Sequence, residues 1–371
     1  MSVYFGYDTA YAGGYLARQA HAISANKCVA LGPLPASLPN PINVGHKSAV
    51  SGFLGKQSAR LMARLGAEVG LDPVVTRRLR WEFAASDLVY TMFLWNAVAL
   101  LPLHREARST AVHIGGSDAT TLASVPSAVA RRRVRAAERS DLLLCGSQFL
   151  AEVMQRYAPR LEPVVHYIGV DVPDIDCRPR GSDCFEVVTV SRLARVKGVD
   201  RTIRAFALAF SDTPDAYLTI VGDGSQRKSL ESLAESLPVH ERIQFLGRLD
   251  GKAVQQVLLR SHVFAQHNVL VESGSEEALG GSLLEASAVC LPVVGTRSGG
   301  VSEAVIDGET GLLSEPDDIP TMAEHFRALY ASPSLRQRLG KGGRRHVRQS
   351  HNSLLQDARL NQLLESVVAA K

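Results

Sequence analysis

Over most of this chain, short apolar runs alternate with segments of helical period, and that alternation confines it to βα units and parallel sheets. In the first half, residues 3–5 read as a strand, Gly13-Gly14 as a turn, 15–24 as a helix and 27–31 as a second strand. Strands are expected at 87–91 and 110–114, with a helix at 93–106 between them, and again at 141–145 and 163–168. A polar, aperiodic stretch at 169–183, carrying Pro173 and Pro179, reads as a linker. A second series follows: strands at 186–190, 217–221, 243–246, 263–267 and 292–295, with helices at 199–210 and 227–237. At the end, Leu354, Leu355, Leu360, Leu363 and Leu364 give residues 353–370 one apolar helical face. Two doubly wound domains are therefore expected, 1–172 with the last helix 351–371, and 173–350. Ligands of such sheets bind beyond the carboxyl ends of the strands.

Length agrees, since 371 residues favour two domains. A 46% hydrophobic and 21% charged composition is that of a globular protein with a sizeable core. The formal net charge of +4 suits a protein handling anions and falls short of the concentrated bias of nucleic-acid binders. Basic clusters at 77–80 and 131–135 read as solvated helix faces. Five scattered cysteines (Cys28, Cys145, Cys177, Cys184, Cys290), with no CxxC pair, point to a reduced cytoplasmic protein without structural zinc. The first residues lack the basic and apolar regions of a signal peptide. The apolar run at 88–103 is broken by Asn96 and Pro102 and is too short to span a bilayer. A soluble protein with at most peripheral contact with the inner face of the membrane is expected.

The segment 271–313 carries the most chemistry. Glu277 and Glu285 flank Gly280-Gly281, and Gly299-Gly300 then leads to Glu303. Ser282-Leu283-Leu284-Glu285 is also a capping box, so Glu285 has a purely structural reading beside a functional one. A helix starting near Ser282 aims free N–H groups and its positive dipole end at whatever lies before it, and phosphate suits that position. Upstream, Arg192 and Lys197 follow the 186–190 strand, where fixed cations would stabilise a departing diphosphate. Gly222-Asp223-Gly224 makes a turn that permits close approach of a ligand, a weak signal by itself.

Together these residues resemble the retaining glycosyltransferases of family 4: the Glu-x7-Glu pair, Arg-x4-Lys-Gly from Arg192 to Gly198, and the run from Pro292 through Gly299-Gly300 and Glu303 to Asp307-Gly308-Glu309-Thr310-Gly311. The similarity is to exopolysaccharide or colanic-acid types. It implies a GT-B fold, in which two Rossmann-like domains face each other across a cleft and the last helix crosses back to the first. It also implies a metal-independent, retaining transfer from a nucleotide diphosphate sugar, a UDP-sugar favoured, to a hydroxyl of a saccharide, lipid-linked or small-molecule acceptor. No cofactor and no nucleic acid enter, and front-face attack needs no protein nucleophile. Arg192 and Lys197 are then expected on the diphosphate. Gly280, Gly281, Ser282 and Leu283 are expected on phosphate or sugar, Glu277 on the sugar, Glu285 on the ribose, and Gly222 and Gly224 lining the donor site. Glycines 308 and 311 read as turn residues.

The first half is more dilute. Gly13-Gly14 matches the family's glycine loop near the donor phosphates and acceptor. Residues 87–118 resemble a unit that often ends Phe-His-Gly-x-Asp; aligned on Gly116 and Asp118, Gly115 stands where that histidine belongs. His113, two residues earlier on the same strand face, either substitutes for it or the role is absent. Cys145-Gly146-Ser147 and 166–171 are similar to segments closing the first domain. Asp174-Ile175-Asp176 is a DxD sequence, but it lies in the linker and not after an apolar strand, so no metal site is expected. Residues 32–86 match nothing, and Lys47, Lys56 and Arg60 there are candidate acceptor contacts. The alternatives are a non-catalytic nucleotide-sugar-binding protein of this fold and a sugar-nucleotide epimerase.

Overall fold

A computed structural model describes residues 2–5, 27–30, 41–43, 73–177 and 184–371. Gly13-Gly14, the 15–24 helix, Lys47, Lys56 and Arg60 lie outside the described residues. The chain divides into two compact units, Met1–Gly169 with Leu354–Lys371, and Val170–Ser353.

The described residues of the first unit form seven strands: β1 Ser2–Phe5, β2 Lys27–Ala30, β3 Pro41–Asn43, β4 Val89–Met92, β5 Thr110–Ile114, β6 Leu142–Cys145 and β7 Val164–Val165. They pair in the order β3-β2-β1-β4-β5-β6-β7, every pair parallel. Strands β4 and β5 are buried along their whole length, as expected of parallel strands covered on both faces. The last helix, Ser353–Ala369, buries Ser353, Gln356, Leu360 and Leu364, a stripe at steps of three and four residues. Leu354 and Leu355, expected on that face, are instead 78% and 52% exposed. Within this unit the Gln356 carbonyl accepts from His166 Nε2 at 2.9 Å, and Lys371 pairs with Asp141.

The described residues of the second unit form six parallel strands: β8 Phe185–Val190, β9 Ala216–Val221, β10 Ile243–Gly247, β11 Val263–Ala265, β12 Val293–Thr296 and β13 Gly311–Ser314. Their order is β10-β9-β8-β11-β12-β13. The helix Val199–Phe210 puts Val199, Thr202, Ile203, Phe206 and Phe210 on one buried face. It packs on the sheet beside the helix Ile319–Ala331, whose Met322, Ala323, Phe326 and Leu329 are buried in the same core. Each such large apolar side chain contributes about 1.5–3 kcal/mol by leaving water.

Three expectations need correcting. Strand β11 ends at Ala265, not at residue 267: Gln266 N–H still donates to the Val294 carbonyl, but by Val269 the backbone has left the sheet for the Val196 carbonyl. The glycines read as a turn at 308–311 include Gly311, the first residue of β13; an added Cβ there would lie 2.4 Å from the Val293 carbonyl. The reading of all cysteines as reduced does not hold either. Cys177 and Cys290 are joined in a disulfide, while Cys145 and Cys184 take part in none. Among the described residues no helix is long and apolar enough to cross a membrane.

Candidate functional site

The strand order of the second unit reverses between β8 and β11: the chain runs outward through β9 and β10, then returns to place β11 on the other flank of β8. The loops leaving the carboxyl ends of these two strands diverge from a common point, where open α/β sheets hold their ligands. After β8 comes exposed Arg192, then a short 3-10 turn, Arg195–Lys197, and Gly198. After β11 come Gln266, His267 and Asn268, three polar residues with no exposed surface. The two loops touch backbone to backbone. Val269 N–H donates to the Val196 carbonyl at 3.1 Å, and a Cβ at Gly198 would stand 1.8 Å from the His267 carbonyl oxygen. With φ of 51° as well, position 198 is closed to any side chain, which accounts for the Lys-Gly pair in the sequence.

Glu277, from the long loop after β11, is carried back into this junction. Its Oε2 accepts from Lys197 Nζ and from Asn268 Nδ2 at 2.9 Å, with Gln266 Nε2 at 3.4 Å. Every hydrogen bond to the carboxylate from the described residues ends on Oε2, which leaves Oε1 for a ligand. The Lys197 and Glu277 side chains are only 15% and 12% exposed. Burial opposes ionisation of Glu277, but the charge and hydrogen bond of Lys197, the Asn268 amide and the charge of Arg192 outweigh it, and the carboxyl is held below its usual value. Arg192 and Lys197 from one loop and Glu277, 80 residues beyond Lys197, thus form one electrostatic cluster.

The helix Gly281–Ala288 begins beside this cluster with Gly280 as its N-cap, so the expected capping box is not made. The Ser282 hydroxyl reaches Gln266 Oε1 at 3.2 Å, and Glu285 is exposed on the helix surface. Among the described residues the Gly281 and Ser282 amides have no acceptor, as the first turn of a helix requires unless a ligand supplies one. Leu283, expected at the ligand, has its side chain wholly buried and its N–H on the Gly280 carbonyl, so it belongs to the core. The Gly222-Asp223-Gly224 turn lies against the Arg192 loop. Leu193 N–H donates to the Asp223 carbonyl at 2.9 Å, and a Cβ at 222 would strike the Ser191 carbonyl at 1.8 Å. These glycines support the cation-bearing loop.

In the first unit, His113 stands on β5 with 1% exposure. Its Nδ1 lies 2.6 Å from the Tyr90 hydroxyl, its ring packs edge-on against His166, and it bonds the His166 backbone. Burial and the neighbouring His166 push its pKa down to about 3, so it is neutral. His113, expected as a possible stand-in for a sugar-facing histidine, is thus held in the core with its Nδ1 on Tyr90. Gly115 is small for a physical reason: an added Cβ would lie 2.4 Å from Phe93 Cε1. Phe93, at φ of 68°, stacks on Trp95 at 4.9 Å. Asp118 is fully buried and caps this corner, accepting from Leu94 N at 3.0 Å and Gly116 N at 2.7 Å.

Sequence reading missed Gln266 and Asn268. The available signal was the run of three polar residues directly after an apolar strand, at the end of a sheet where ligands bind.

Residues 179–346 match the family described as glycosyl transferases group 1. The chain is 33% identical over 207 residues to the GDP-mannose-dependent alpha-(1-6)-phosphatidylinositol monomannoside mannosyltransferase of Mycolicibacterium smegmatis, covering 53% of this chain and 54% of that one. It is 30% identical over 167 residues to the N-acetyl-alpha-D-glucosaminyl L-malate synthase of Bacillus anthracis, covering 45% and 42%. The chain thus spans about half the length of the curated relatives it matches. Along its whole length it resembles solved structures: sucrose-phosphate synthase from Thermosynechococcus elongatus (TM-score 0.80, 17% identity, 100% of both chains) and Anabaena HepE in complex with UDP (TM-score 0.77, 17% identity, 98% and 99%). The fold is accordingly GT-B, two parallel-sheet Rossmann-like units, and most of its second unit is similar to the glycosyl transferases group 1 family.

Proposed function

We propose that this protein is a retaining glycosyltransferase, of the family 4 type, that moves a sugar from a nucleotide diphosphate sugar to a hydroxyl of a saccharide, lipid-linked or small-molecule acceptor. The observation that carries the reading is the junction of Lys197, Glu277 and the open amides of Gly281 and Ser282 at the switch point of the second sheet. Arg192 and Lys197 neutralise the diphosphate, and the two amides take phosphate oxygens. Glu277 Oε1 takes a hydroxyl of the transferred sugar, and exposed Glu285 the ribose hydroxyls. In the reaction the bond from the anomeric carbon to the phosphate oxygen breaks, and a bond to the acceptor oxygen forms on the same face. The acceptor's proton passes to the departing phosphate.

Two fixed cations supply the charge that the leaving group requires, and on this reading no metal is needed. UDP-sugars are the favoured donors, in keeping with the UDP held by the structurally similar HepE, and GDP-mannose, named for the mycobacterial relative, is the next to test. An acceptor in polysaccharide or glycoconjugate biosynthesis fits the names of the relatives. A second reading, a nucleotide-sugar-binding protein without catalysis, draws on the core placement of His113 and the absence of a side chain at Gly115. Incubation with UDP-glucose, UDP-N-acetylglucosamine and GDP-mannose, with and without a panel of saccharide and phosphatidylinositol acceptors, separates the two. Nucleoside diphosphate release that depends on acceptor supports transfer. Binding of donor with no turnover under any pairing selects the second reading.

A further inference from the structure

Four polar side chains of the second unit are joined in one network. Ser282 Oγ lies 3.2 Å from Gln266 Oε1, Gln266 Nε2 is 2.8 Å from Asn268 Oδ1 and 3.4 Å from Glu277 Oε2, and Asn268 Nδ2 is 2.9 Å from the same Glu277 oxygen. Gln266 and Asn268 have no exposed surface, and the Asn268 backbone is fixed by Thr296 Oγ1 donating to its carbonyl at 2.7 Å.

The direction of this network is set at one end by chemistry. The ionised Glu277 carboxylate only accepts, so Asn268 must turn its NH₂ toward it and its oxygen toward Gln266. Gln266 must then offer NH₂ to Asn268 and oxygen to Ser282, and Ser282, facing an acceptor, must donate its one hydroxyl proton inward. Each bond polarises the next in the same sense. Toward the ligand, Ser282 Oγ therefore presents lone pairs alone. A phosphate oxygen, itself an acceptor, gains nothing from such a group, whereas a sugar hydroxyl gains an acceptor.

We infer that Gln266 and Asn268 are positioning residues for donor-sugar selection: through a one-way hydrogen-bond relay they aim Glu277 and make the Ser282 hydroxyl an acceptor, so that both read hydroxyls of the transferred sugar while the phosphates are left to the amides and cations. This rests on the donor-site reading above. It adds to that reading a division of labour within a single helix start, backbone for phosphate and side chain for sugar.

The test compares affinities for UDP, GDP, UDP-glucose and GDP-mannose by calorimetry on the full chain, for the wild type, Ser282→Ala and Gln266→Glu. Ser282→Ala removes the outward acceptor and keeps the amide. Gln266→Glu keeps an acceptor for Ser282, but puts an oxygen where the Nε2 donor stood, 2.8 Å from Asn268 Oδ1 and 3.4 Å from Glu277 Oε2, so both donated bonds are lost. Ser282→Ala is expected to bind the bare diphosphate as the wild type does and the matching nucleotide sugar roughly tenfold more weakly; Gln266→Glu, whose added charge opposes every diphosphate alike, should lose more affinity for the nucleotide sugar than for the diphosphate. Melting temperatures without ligand identify a variant that has not folded. Ser282→Ala, at a partly exposed position, decides the matter if Gln266→Glu does not fold. Equal loss for diphosphate and nucleotide sugar, or no loss for either, overturns the relay. A wild type that binds none of the four probes overturns the donor-site reading itself, and the relay with it.

Discussion

Lys197 and Glu277, 80 residues apart in the chain, meet as an ion pair in which the ammonium donates to Oε2 and both side chains are largely withdrawn from water. The pair joins the loop after β8 to the loop after β11 and so holds the switch point together. It also sets the charge balance of the candidate site, because a cation on one loop keeps the carboxylate on the other ionised.

Removing one partner leaves the other charged, shielded and unpaired. Lys197→Met is expected to cost about 3 kcal/mol of stability and to abolish donor turnover. In the double variant Lys197→Met/Glu277→Leu most of the stability should return, since two apolar groups replace the pair, while turnover stays absent. Urea denaturation and a nucleotide-release assay read the two effects. A double variant no more stable than the single one would show that the pair has no structural weight.

Acid stability should fall in two windows. Burial lowers the pKa values of His104, His267 and His351 to about 4 and that of His113 to about 3. The unfolded chain therefore takes up these protons first, so the stability is fully present above pH 6.5 and declines as pH drops from there toward 4. Glu277, held below its usual 4.5, contributes stability above that pH and loses it as pH falls through its native value. Melting temperature against pH should be shallower between 6.5 and 4 in His113→Gln. In Glu277→Gln it should be shallower only below 4.5. An unchanged upper window in His113→Gln would contradict the buried neutral ring.

At Gly115 the constraint is steric. Gly115→Ala should destabilise by about 1–3 kcal/mol, because the added methyl lands on the Phe93 ring, 2.4 Å from Cε1. Phe93→Leu/Gly115→Ala should recover part of that loss. Strict additivity of the two substitutions would mean that Phe93 is not what closes the site.

The disulfide between Cys177 and Cys290 closes a separation of 113 residues within the second unit. Its reduction should lower stability by about 2–4 kcal/mol. Cys177→Ser should melt at the same temperature with and without dithiothreitol, and a melting temperature of the wild type indifferent to dithiothreitol would rule the bond out.

The fold was legible wherever a short apolar run stood between turn residues. Thr110–Ile114 and Val199–Phe210 coincide with their expected bounds because burial on both faces, or one clean apolar stripe, leaves few alternatives. The signal failed where residues serve two purposes. Gln266–Asn268 sits at a strand's end but is polar, so pattern alone could not show that it turns inward to Glu277. Ser282 and Glu285 have the spacing of a capping box, yet Gly280 takes the cap and Ser282 turns to Gln266. The same ambiguity touched the last helix, where Leu354 and Leu355 look like core and Gln356 is core. The disulfide left no trace in spacing, because its partners are brought together only by the fold.

The pairing of β8 with β11 also orders events in time. Val187 meets Val263 only after β9 and β10, with their intervening helices, have been made, so this is the longest loop to close around the centre of the sheet. A growing chain displays Arg192 and Lys197 well before Glu277 exists to neutralise either of them. Tight holding of a ligand by both loops thus reports that the second sheet has finished folding, and a chain ending before β11 has the cations without the site.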